Sequence, residues 1–243
     1  MKTSLKKISL TFSVALLHTL LLGQMMKSDS LVLSSSRQSL TNLYDQNLGG
    51  NTHLYNGIEF IDPFQKKVLE GFPYFLMDDW QDGSIFYDGQ LYENIPFLFD
   101  IFKDRIIVDH PRSHARIELI PQKIKYFTIA DKHFVQLKSP TAGFYQELYR
   151  GETIIYARHY KTIQEKIGSK SMITEFLTRR KLYIVREGTY HVITSKKSAL
   201  KVLKEHKSEL NKLLGQEKIS FKNNKEYALA RMGQYFDQLN TKR

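Results

Sequence analysis

The sequence repeatedly places glycine after asparagine or aspartate inside runs of aromatic and aliphatic residues, and this pattern limits the fold more than any other. Its clearest cases are LYNGIEF (residues 54–60) and FYDGQLY (residues 86–92). Asn-Gly and Asp-Gly accept the positive φ angles of a type I′ turn, so both stretches predict β-hairpins. Gly151 and Gly188 occupy looser versions of the pattern. We therefore expect a chain that folds back on itself as antiparallel strands.

The stretch WQDGSIFYDGQLYENIPFLFD (residues 80–100) contains two Asp-Gly pairs, which predict two tight turns around a strand at residues 84–87. Asp82-Gly83 would start this strand and Asp88-Gly89 would end it. The aromatic residues of the stretch are then expected to pack in the core. They are Tyr87, Tyr92, Phe97 and Phe99.

The same stretch raises the alternative of a calcium site, because calcium prefers several oxygen ligands on a tight loop. The acids concerned are Asp78, Asp79, Asp82 and Asp88. Counted from Asp78, however, the third position of an EF-hand loop is Trp80 and the twelfth is Gly89, and neither supplies a carboxylate or amide. Turn formation therefore accounts for these acids better than metal binding does.

Further short runs have β-rich composition. They are residues 72–77, 105–109, 115–120, 123–129, 133–137 and 153–160. Alternation places Ala115, Ile117 and Leu119 on an inward face, and it places Ile124 and Tyr126 together on one face. These runs predict a mainly antiparallel β body over residues 51–194, arranged as a meander, a sandwich or an open barrel.

After Ser195 the apolar residues recur at the spacing of an α-helix. Ser195 immediately precedes this segment and is predicted to be the N-cap of the helix. Leucines then recur at helical spacing up to a stop at Gly215. Asn223 and Glu226 resemble a capping box before a second amphipathic helix. Its apolar stripe consists of Leu229, Met232, Phe236 and Leu239. We therefore predict an α+β fold in which two C-terminal helices, within residues 195–243, pack on the β body.

Residues 1–23 have the three-part pattern of a secretory signal peptide, with lysines first and an almost wholly apolar run at residues 10–22. This run is shorter than the roughly 20 residues that a helix needs to cross a bilayer. We predict cleavage between Gly23 and Gln24, followed by a flexible leader at residues 24–50. The mature chain would then be exported, to the periplasm or out of the cell, without a transmembrane anchor.

Several catalytic and cofactor-binding classes lack their residues in this chain. It contains no cysteine, which excludes a thiol nucleophile and iron–sulfur clusters. It also has no Gly-x-Ser-x-Gly, no phosphate-binding loop, no GxGxxG and no HExxH. We therefore predict no cofactor, no metal and no catalytic residue, and a non-catalytic protein is favoured over an enzyme.

Two sets of residues keep alternatives open. Asp109, His110 and His114 have metal-ligating side chains, but Pro111 disfavours a helix there and favours a polar hairpin loop. A glycosidase needs only two well-placed carboxylates, for which Glu147, Glu152 and Asp88 are available. The other histidines of the mature chain are interpreted as surface residues of strands and helices. They are His53, His133, His159, His191 and His206.

The charge is unevenly distributed, because residues 24–150 are slightly acidic whereas residues 151–243 carry a net charge of +11. Such asymmetry indicates an anionic partner or a solvated helix face. The candidate contacts with an anionic surface are Arg179, Arg180, Lys181, Lys196, Lys197, Lys201 and Lys204. Export disfavours nucleic acid as the partner, so anionic lipid or polysaccharide fits these residues better.

Several segments together resemble a family of exported bacterial proteins with no assigned activity. They are YNG, GFPYF, WQDGSIFYDGQLYENIPFLFD, GFYQELYRG, KLYIVREGTYHVITSKKSALKVLKEHKSELNKLL and ISFKNNKEYALARMGQYFDQL. The resemblance covers most of residues 54–239. It implies export and a β-rich body with a helical end, and it implies no functional residue.

The sequence thus favours an exported, non-catalytic binding or structural protein of the bacterial envelope. Two alternatives remain, namely a hydrolase of envelope material or glycans that uses paired carboxylates, and a binder of anionic surfaces through the basic C-terminal half.

Overall fold

A computed structural model describes residues 53–65, 67–169 and 171–241. The predicted signal peptide, its cleavage between Gly23 and Gln24, and the predicted leader at residues 24–50 lie outside these ranges. In the described residues, twelve strands belong to one sheet and three α-helices follow them.

The strands are β1 (Ile58–Glu59), β2 (Val68–Glu70), β3 (Gln81–Tyr87), β4 (Gln90–Asp100), β5 (Arg105–Asp109), β6 (Arg116–Glu118), β7 (Ile124–Ile129), β8 (Lys132–Leu137), β9 (Gly143–Arg150), β10 (Ile154–Ile167), β11 (Met172–Arg186) and β12 (Thr189–Ile193). The helices are α1 (Lys196–Val202), α2 (Lys207–Gln216) and α3 (Lys225–Thr241).

The sheet follows the order β1-β6-β5-β4-β3-β7-β8-β9-β10-β11-β12, and β2 adds to β11. All pairs are antiparallel except β2 with β11. The sheet is open and not closed into a barrel. The predicted α+β class, with a mainly antiparallel body and a helical end, is confirmed.

Two of the predicted glycine turns have the backbone of a type I′ hairpin. Asp88 and Gly89 have φ angles of 51° and 87° between β3 and β4. Glu187 and Gly188 have φ angles of 50° and 73° between β11 and β12. Positive φ at both central residues matches the twist of the flanking strands, so these turns fix the register of both hairpins. Gly151 also lies in a bend, between β9 and β10, as predicted.

The turn prediction is wrong for two other glycines. Gly57 precedes the short strand β1, and a Cβ there would overlap the carbonyl oxygen of Glu118 on β6. Gly83 lies inside β3, and a Cβ there would overlap the carbonyl oxygen of Thr128 on β7. Both positions need glycine because a neighbouring strand approaches closely, and neither forms a hairpin turn.

A β-bulge overturns another prediction, that Ile124 and Tyr126 share a face. The pairing of β7 with β3 shifts by one residue beside Lys125, so the alternation changes phase there. Phe127 and Ile129 are therefore buried together with Ile124, while Tyr126 is only half-buried. The predicted strand at residues 72–77 is also wrong, because that segment makes only an isolated bridge.

The first half of the sheet surrounds an aromatic core. Tyr87, Tyr92, Phe97 and Phe99 are all buried in it, as predicted, and Ile117 and Leu119 point inward as the alternation indicates. The rings of Phe99, Phe127 and Phe134 contact one another with centroids 4.9–5.2 Å apart. Such contacts stabilise the packing beyond the burial of apolar area.

The helices cover one face of the second half of the sheet. Their leucines contact Ile155 and Ala157 of β10 and Leu182 and Ile184 of β11. Most of the predicted apolar positions are buried, namely Leu200, Leu203, Leu210, Leu213, Leu214, Leu229, Met232 and Phe236. Leu239, the last position of the predicted stripe, is only half-buried. Ser195 is the N-cap of α1, as predicted, since its hydroxyl oxygen accepts a hydrogen bond from the Ser198 N–H at 3.2 Å.

The first predicted helix is broken into α1 and α2. His206 N–H donates to the carbonyl of Leu203 and not to that of Val202. The Val202 carbonyl instead accepts a hydrogen bond of 2.8 Å from the Arg186 side chain of β11. In a continuous helix, the Val202 carbonyl would accept from the His206 N–H. Arg186 of the sheet binds this carbonyl instead, and the helix is interrupted here.

Helix α3 begins one residue later than predicted, because Asn224 and not Asn223 accepts a hydrogen bond from the Tyr227 N–H, at 3.1 Å. Gly233, which lowers helix propensity by about 1 kcal/mol relative to alanine, lies where α3 crosses the sheet. A Cβ there would lie 3.0 Å from Ile155 and 3.1 Å from Tyr149. Glycine therefore allows the helix to approach the sheet closely.

In the described part of the chain, no helix is both long enough and apolar enough to span a bilayer.

Candidate anion-binding surface

Helix α1 and the turn after it bring the predicted lysines of the C-terminal half into one groove. Lys197 and Lys201 are four residues apart on α1, so they share a face of the helix. We call this site the lysine groove. It has a volume of about 670 Å³ and is lined by Lys196, Lys197, Leu200, Lys201, Lys204, Lys207 and Asn211.

No carboxylate lines the lysine groove, and among the described residues none of its five lysines forms an ion pair. Glu205, which follows Lys204 in the chain, is instead bound to Arg186 at 3.1 Å. A backbone hydrogen bond lowers the pKa of Glu205 most, and the Arg186 and Lys204 charges lower it further. The five lysines therefore have no ion-pair partner among the described residues, although the charge of Lys204 acts on the neighbouring Glu205 carboxylate.

The base of the lysine groove is apolar. Leu200 is 7% exposed, and its side chain belongs to the core beneath the helices. Lysine stems can lie along such a surface while the ammonium groups remain in water. This arrangement suits a ligand that presents several anionic groups on a broad surface.

The structure does not bring Arg179, Arg180 and Lys181 into the lysine groove. They are consecutive residues of β11, so their side chains alternate between the faces of the sheet. Arg180 is bound to Glu226 of α3 at 2.5 Å, whereas Lys181 lies over the ring of Tyr160 at 5.8 Å. The predicted basic residues therefore form two separate sites, and Arg180 is already neutralised.

The second basic site is a cavity of about 590 Å³ at the edge of β11, which we call the edge cavity. It is lined by His159, Thr178, Arg179, Arg180, Lys181, Leu182, Val192, Ile193, Thr194 and Lys225. Lys225 could not be predicted to line this cavity, because it lies far from residues 179–181 along the chain. It reaches the site because α3 begins beside β12, where its ammonium donates to the Thr194 carbonyl at 3.4 Å.

The side chain of His159 is only 11% exposed, so its interpretation as a surface residue is wrong. Its Nε2 lies 2.7 Å from the amide oxygen of Gln146, and its ring contacts those of Phe75 and Phe134. Burial lowers the pKa of His159 to about 4, although Glu226 opposes this shift. His159 is therefore neutral at pH 7 and adds no charge to the edge cavity.

His206 is also buried, and its Nε2 lies 3.0 Å from the amide oxygen of Asn240. The loop with Asp109, His110 and His114 is the connection between β5 and β6, as predicted. There, His114 Nδ1 lies 3.3 Å from Asp109 Oδ2, and the ring of His110 lies 3.3 Å from the N–H groups of the turn. No group of three potential metal-ligating side chains occurs among the residues that the structure describes.

The acids considered for calcium do not form one site, since only Asp78 and Asp79 line a common pocket. Asp88, in the β3–β4 turn, is bound to Lys123 at 2.7 Å, and Asp82 lies within β3. The acids considered for a glycosidase do not converge either, since Glu147 is bound to Arg150 at 2.6 Å on β9. Glu152 lies in the bend after β9.

Two of the acids considered for calcium, Asp78 and Asp79, line one concave site together with Asp62, and we call this site the acidic pocket. Its volume is about 350 Å³, and its lining includes Asp62, Asp78, Asp79, Trp80 and Arg116. The Oδ1 atoms of Asp62 and Asp79 each accept a backbone N–H at 2.8 Å. The place of Asp62 beside Asp78 is not predictable from the sequence, because no local pattern relates the two residues.

Comparisons with known protein families, with curated proteins and with solved structures found no match to this chain. The resemblance to a family of exported proteins therefore stays a prediction.

Proposed function

We propose that this chain is an exported, non-catalytic binding protein of the bacterial envelope that attaches to an anionic surface through the lysine groove. The observation that carries the proposal is the convergence of five lysines on one groove that no carboxylate lines. Each lysine near an anionic membrane contributes about 1 kcal/mol of binding free energy. Five such contacts are sufficient for reversible attachment and would depend strongly on salt.

Binding to vesicles tests the proposal directly. We expect the purified protein to sediment with vesicles that contain phosphatidylglycerol and not with vesicles of phosphatidylcholine alone. A high salt concentration should release it, because screening weakens attraction between exposed charges. Equal binding to both kinds of vesicle at both salt concentrations would contradict the proposal.

A matched pair of variants distinguishes the lysine groove from general basicity. The groove variant is Lys197→Glu/Lys201→Glu/Lys204→Glu. The control variant, with the same change in charge, is Lys212→Glu/Lys218→Glu/Lys222→Glu, at exposed positions outside the groove lining. Only the groove variant is expected to lose most of its binding, and equal losses in both would indicate a non-specific charge effect. Vesicles and a soluble acidic polysaccharide, used separately, distinguish the two sources of anionic surface.

Export is supported by the sequence of residues 1–23 alone. The test is the N-terminal sequence of the protein isolated from its native cell, together with fractionation of those cells. A mature chain that starts at Gln24 and is found outside the cytoplasm is the expected result. An intact N-terminus on a cytoplasmic protein would overturn this part of the proposal.

A second candidate function is hydrolysis of a glycan in the acidic pocket. It is favoured by the convergence of Asp62, Asp78 and Asp79 beside Trp80, because glycosidases act through a pair of carboxylates. Asp78 is exposed, which leaves its carboxylate accessible to a ligand. Release of reducing sugar from envelope glycans that disappears in Asp78→Asn would support hydrolysis. No release by the unaltered protein would favour the non-catalytic function.

A further inference from the structure

Strand β11 has an open edge in its middle. On one side it pairs with β10 along fourteen residues, from Met172 to Val185. On the other side β2 covers residues 173–175 and β12 covers residues 182–186. Within the described chain, residues 176–181 therefore have no strand partner on that side. At about 3.3 Å per residue they span about 20 Å, the length of an ordinary strand.

We propose that this edge binds an extended acidic peptide, which adds to the sheet as a further strand between β2 and β12. Alternate residues of an edge strand present unpaired N–H and C=O groups, and an added strand can satisfy them. Residues 178–181 are all exposed, so a peptide can reach this backbone. The site differs from the lysine groove, and the inference does not rest on the function proposed above.

The charges beside the edge select an acidic partner. Arg179, Lys181 and Lys225 line the edge cavity, and no carboxylate is part of that lining. Only Arg180 is neutralised there, by Glu226. Because Arg179 and Lys181 are two residues apart, they lie on the same face of the sheet. An added strand with carboxylates at alternate positions would therefore place them beside both cations.

The same charges disfavour a second copy of this chain. Antiparallel pairing of two β11 edges would bring residues 179–181 of both copies together. Like charges on directly opposed strand positions are destabilising. Basic residues on an edge are a common protection against self-association. Here they leave the edge open to a partner of opposite charge.

Two labelled peptides test the proposal with the full-length protein. The probe is an eight-residue peptide of alternating glutamate and valine, since valine favours the strand conformation. The control peptide has proline in place of each valine, which keeps the charge but removes half of the backbone donors and fixes φ. Fluorescence anisotropy measures the affinity, and hydrogen exchange reports on the amides of residues 176–181.

We expect the valine peptide to bind and to slow exchange at residues 176–181, and the proline peptide to bind much more weakly. The variant Arg179→Glu/Lys181→Glu should lose affinity by roughly tenfold or more. Lys196→Glu/Lys197→Glu, in the lysine groove, should change the affinity by less than about twofold. Because these lysines belong to the other site, peptide binding and vesicle binding can fail independently.

Three results would overturn the proposal. One is equal binding of both peptides without protection of residues 176–181, which would indicate side-chain attraction alone. Another is loss of peptide binding in Lys196→Glu/Lys197→Glu, which would place the peptide in the lysine groove. The third is concentration-dependent dimerisation that protects residues 176–181, which would identify a second copy as the partner. The exchange measurement needs only the unaltered protein, so a variant that fails to fold does not prevent the test.

Discussion

The buried carboxylate of Asp237 attaches α3 to the sheet, and its removal is expected to lower stability substantially. Its Oδ2 atom accepts hydrogen bonds from the Thr153 N–H and the Tyr149 O–H, both at 3.0 Å. Thr153 and Asp237 are 1% and 7% exposed. Water therefore has little access to replace these bonds if the carboxylate is removed.

The size of the effect follows from the number of donors. A hydrogen bond to a charged group contributes about 1.5–3 kcal/mol, and a buried donor without a partner costs about 1–3 kcal/mol. We expect Asp237→Ala to lower the free energy of unfolding by about 3 kcal/mol, because it affects two donors. Tyr149→Phe removes one donor and leaves the carboxylate bound to Thr153, so it should cost about 1 kcal/mol. The double variant Tyr149→Phe/Asp237→Ala should lose less unfolding free energy than the sum of the two single losses, because the two residues share one hydrogen bond.

Urea unfolding monitored by circular dichroism measures these changes. With a slope of about 2 kcal/mol per molar urea, Asp237→Ala should shift the midpoint by about 1.5 M. Asp237→Asn keeps one acceptor oxygen, so its urea midpoint should lie between those of the native chain and of Asp237→Ala. Glu209→Ala, at an exposed acid on α2, is the control and should leave the midpoint unchanged. Two results would refute this role of the carboxylate. One is a midpoint shift below about 0.5 M for Asp237→Ala at an unchanged slope. The other is a double variant whose loss of unfolding free energy equals the sum of the two single losses.

Three further predictions concern stability. Burial lowers the pKa of His159 to about 4. As the pH drops from about 6.5 to 4, the unfolded chain therefore takes up a proton at this residue that the folded chain does not. The free energy of unfolding should fall over this range by up to roughly 3 kcal/mol. Burial raises the pKa of Asp104 to about 6, so Asp104 stabilises the folded chain as the pH falls and opposes the effect of His159. The test therefore compares denaturant unfolding of His159→Gln with that of the native chain over this pH range. An equal loss of stability in both proteins would contradict the prediction. Gly83→Ala should destabilise the protein more than Gly89→Ala, because a Cβ at Gly83 overlaps the neighbouring strand, whereas at Gly89 only the positive φ of 87° disfavours alanine. Thermal unfolding compares the two variants, and similar midpoints would be the opposing result. Ser195→Ala should cost about 1 kcal/mol by removing the cap of α1, as measured by urea unfolding with Ser195→Asp as the control that keeps a cap.

The glycines illustrate how much of the fold could be predicted from the sequence. The Asp-Gly pair at Gly89 identified a hairpin correctly, because its positive φ is a local requirement of the turn. Gly57 and Gly83 follow Asn and Asp in the same way, yet both are required by a carbonyl of a distant strand. A dipeptide reports its own backbone preference and gives no information on the strand that will pack against it. For the same reason, the bulge beside Lys125 could not be inferred from alternation alone.

The basic site was predictable in part. Helical spacing placed the lysines of α1 on a common face, and the structure brings them into one groove. Arg180 was also assigned to the anionic contacts, but Glu226 of α3 binds it. Only the packing of α3 on the sheet brings these two residues together, and no local pattern in the sequence reports that contact. The open edge at residues 176–181 likewise depends on where β2 and β12 end.

The parallel strand β2 has a consequence for local unfolding. Val68 of β2 pairs with Ile173 of β11, so this contact closes a much longer loop than any hairpin of the sheet, and closing a longer loop costs more chain entropy. All three residues of β2 are exposed, which leaves little buried apolar area to offset that cost. We expect β2 to exchange its amides fastest among the paired strands and to detach before the rest of the sheet. Each detachment would lengthen the free edge of β11 from residues 176–181 to residues 173–181, so the length available to an added strand varies with the opening of β2.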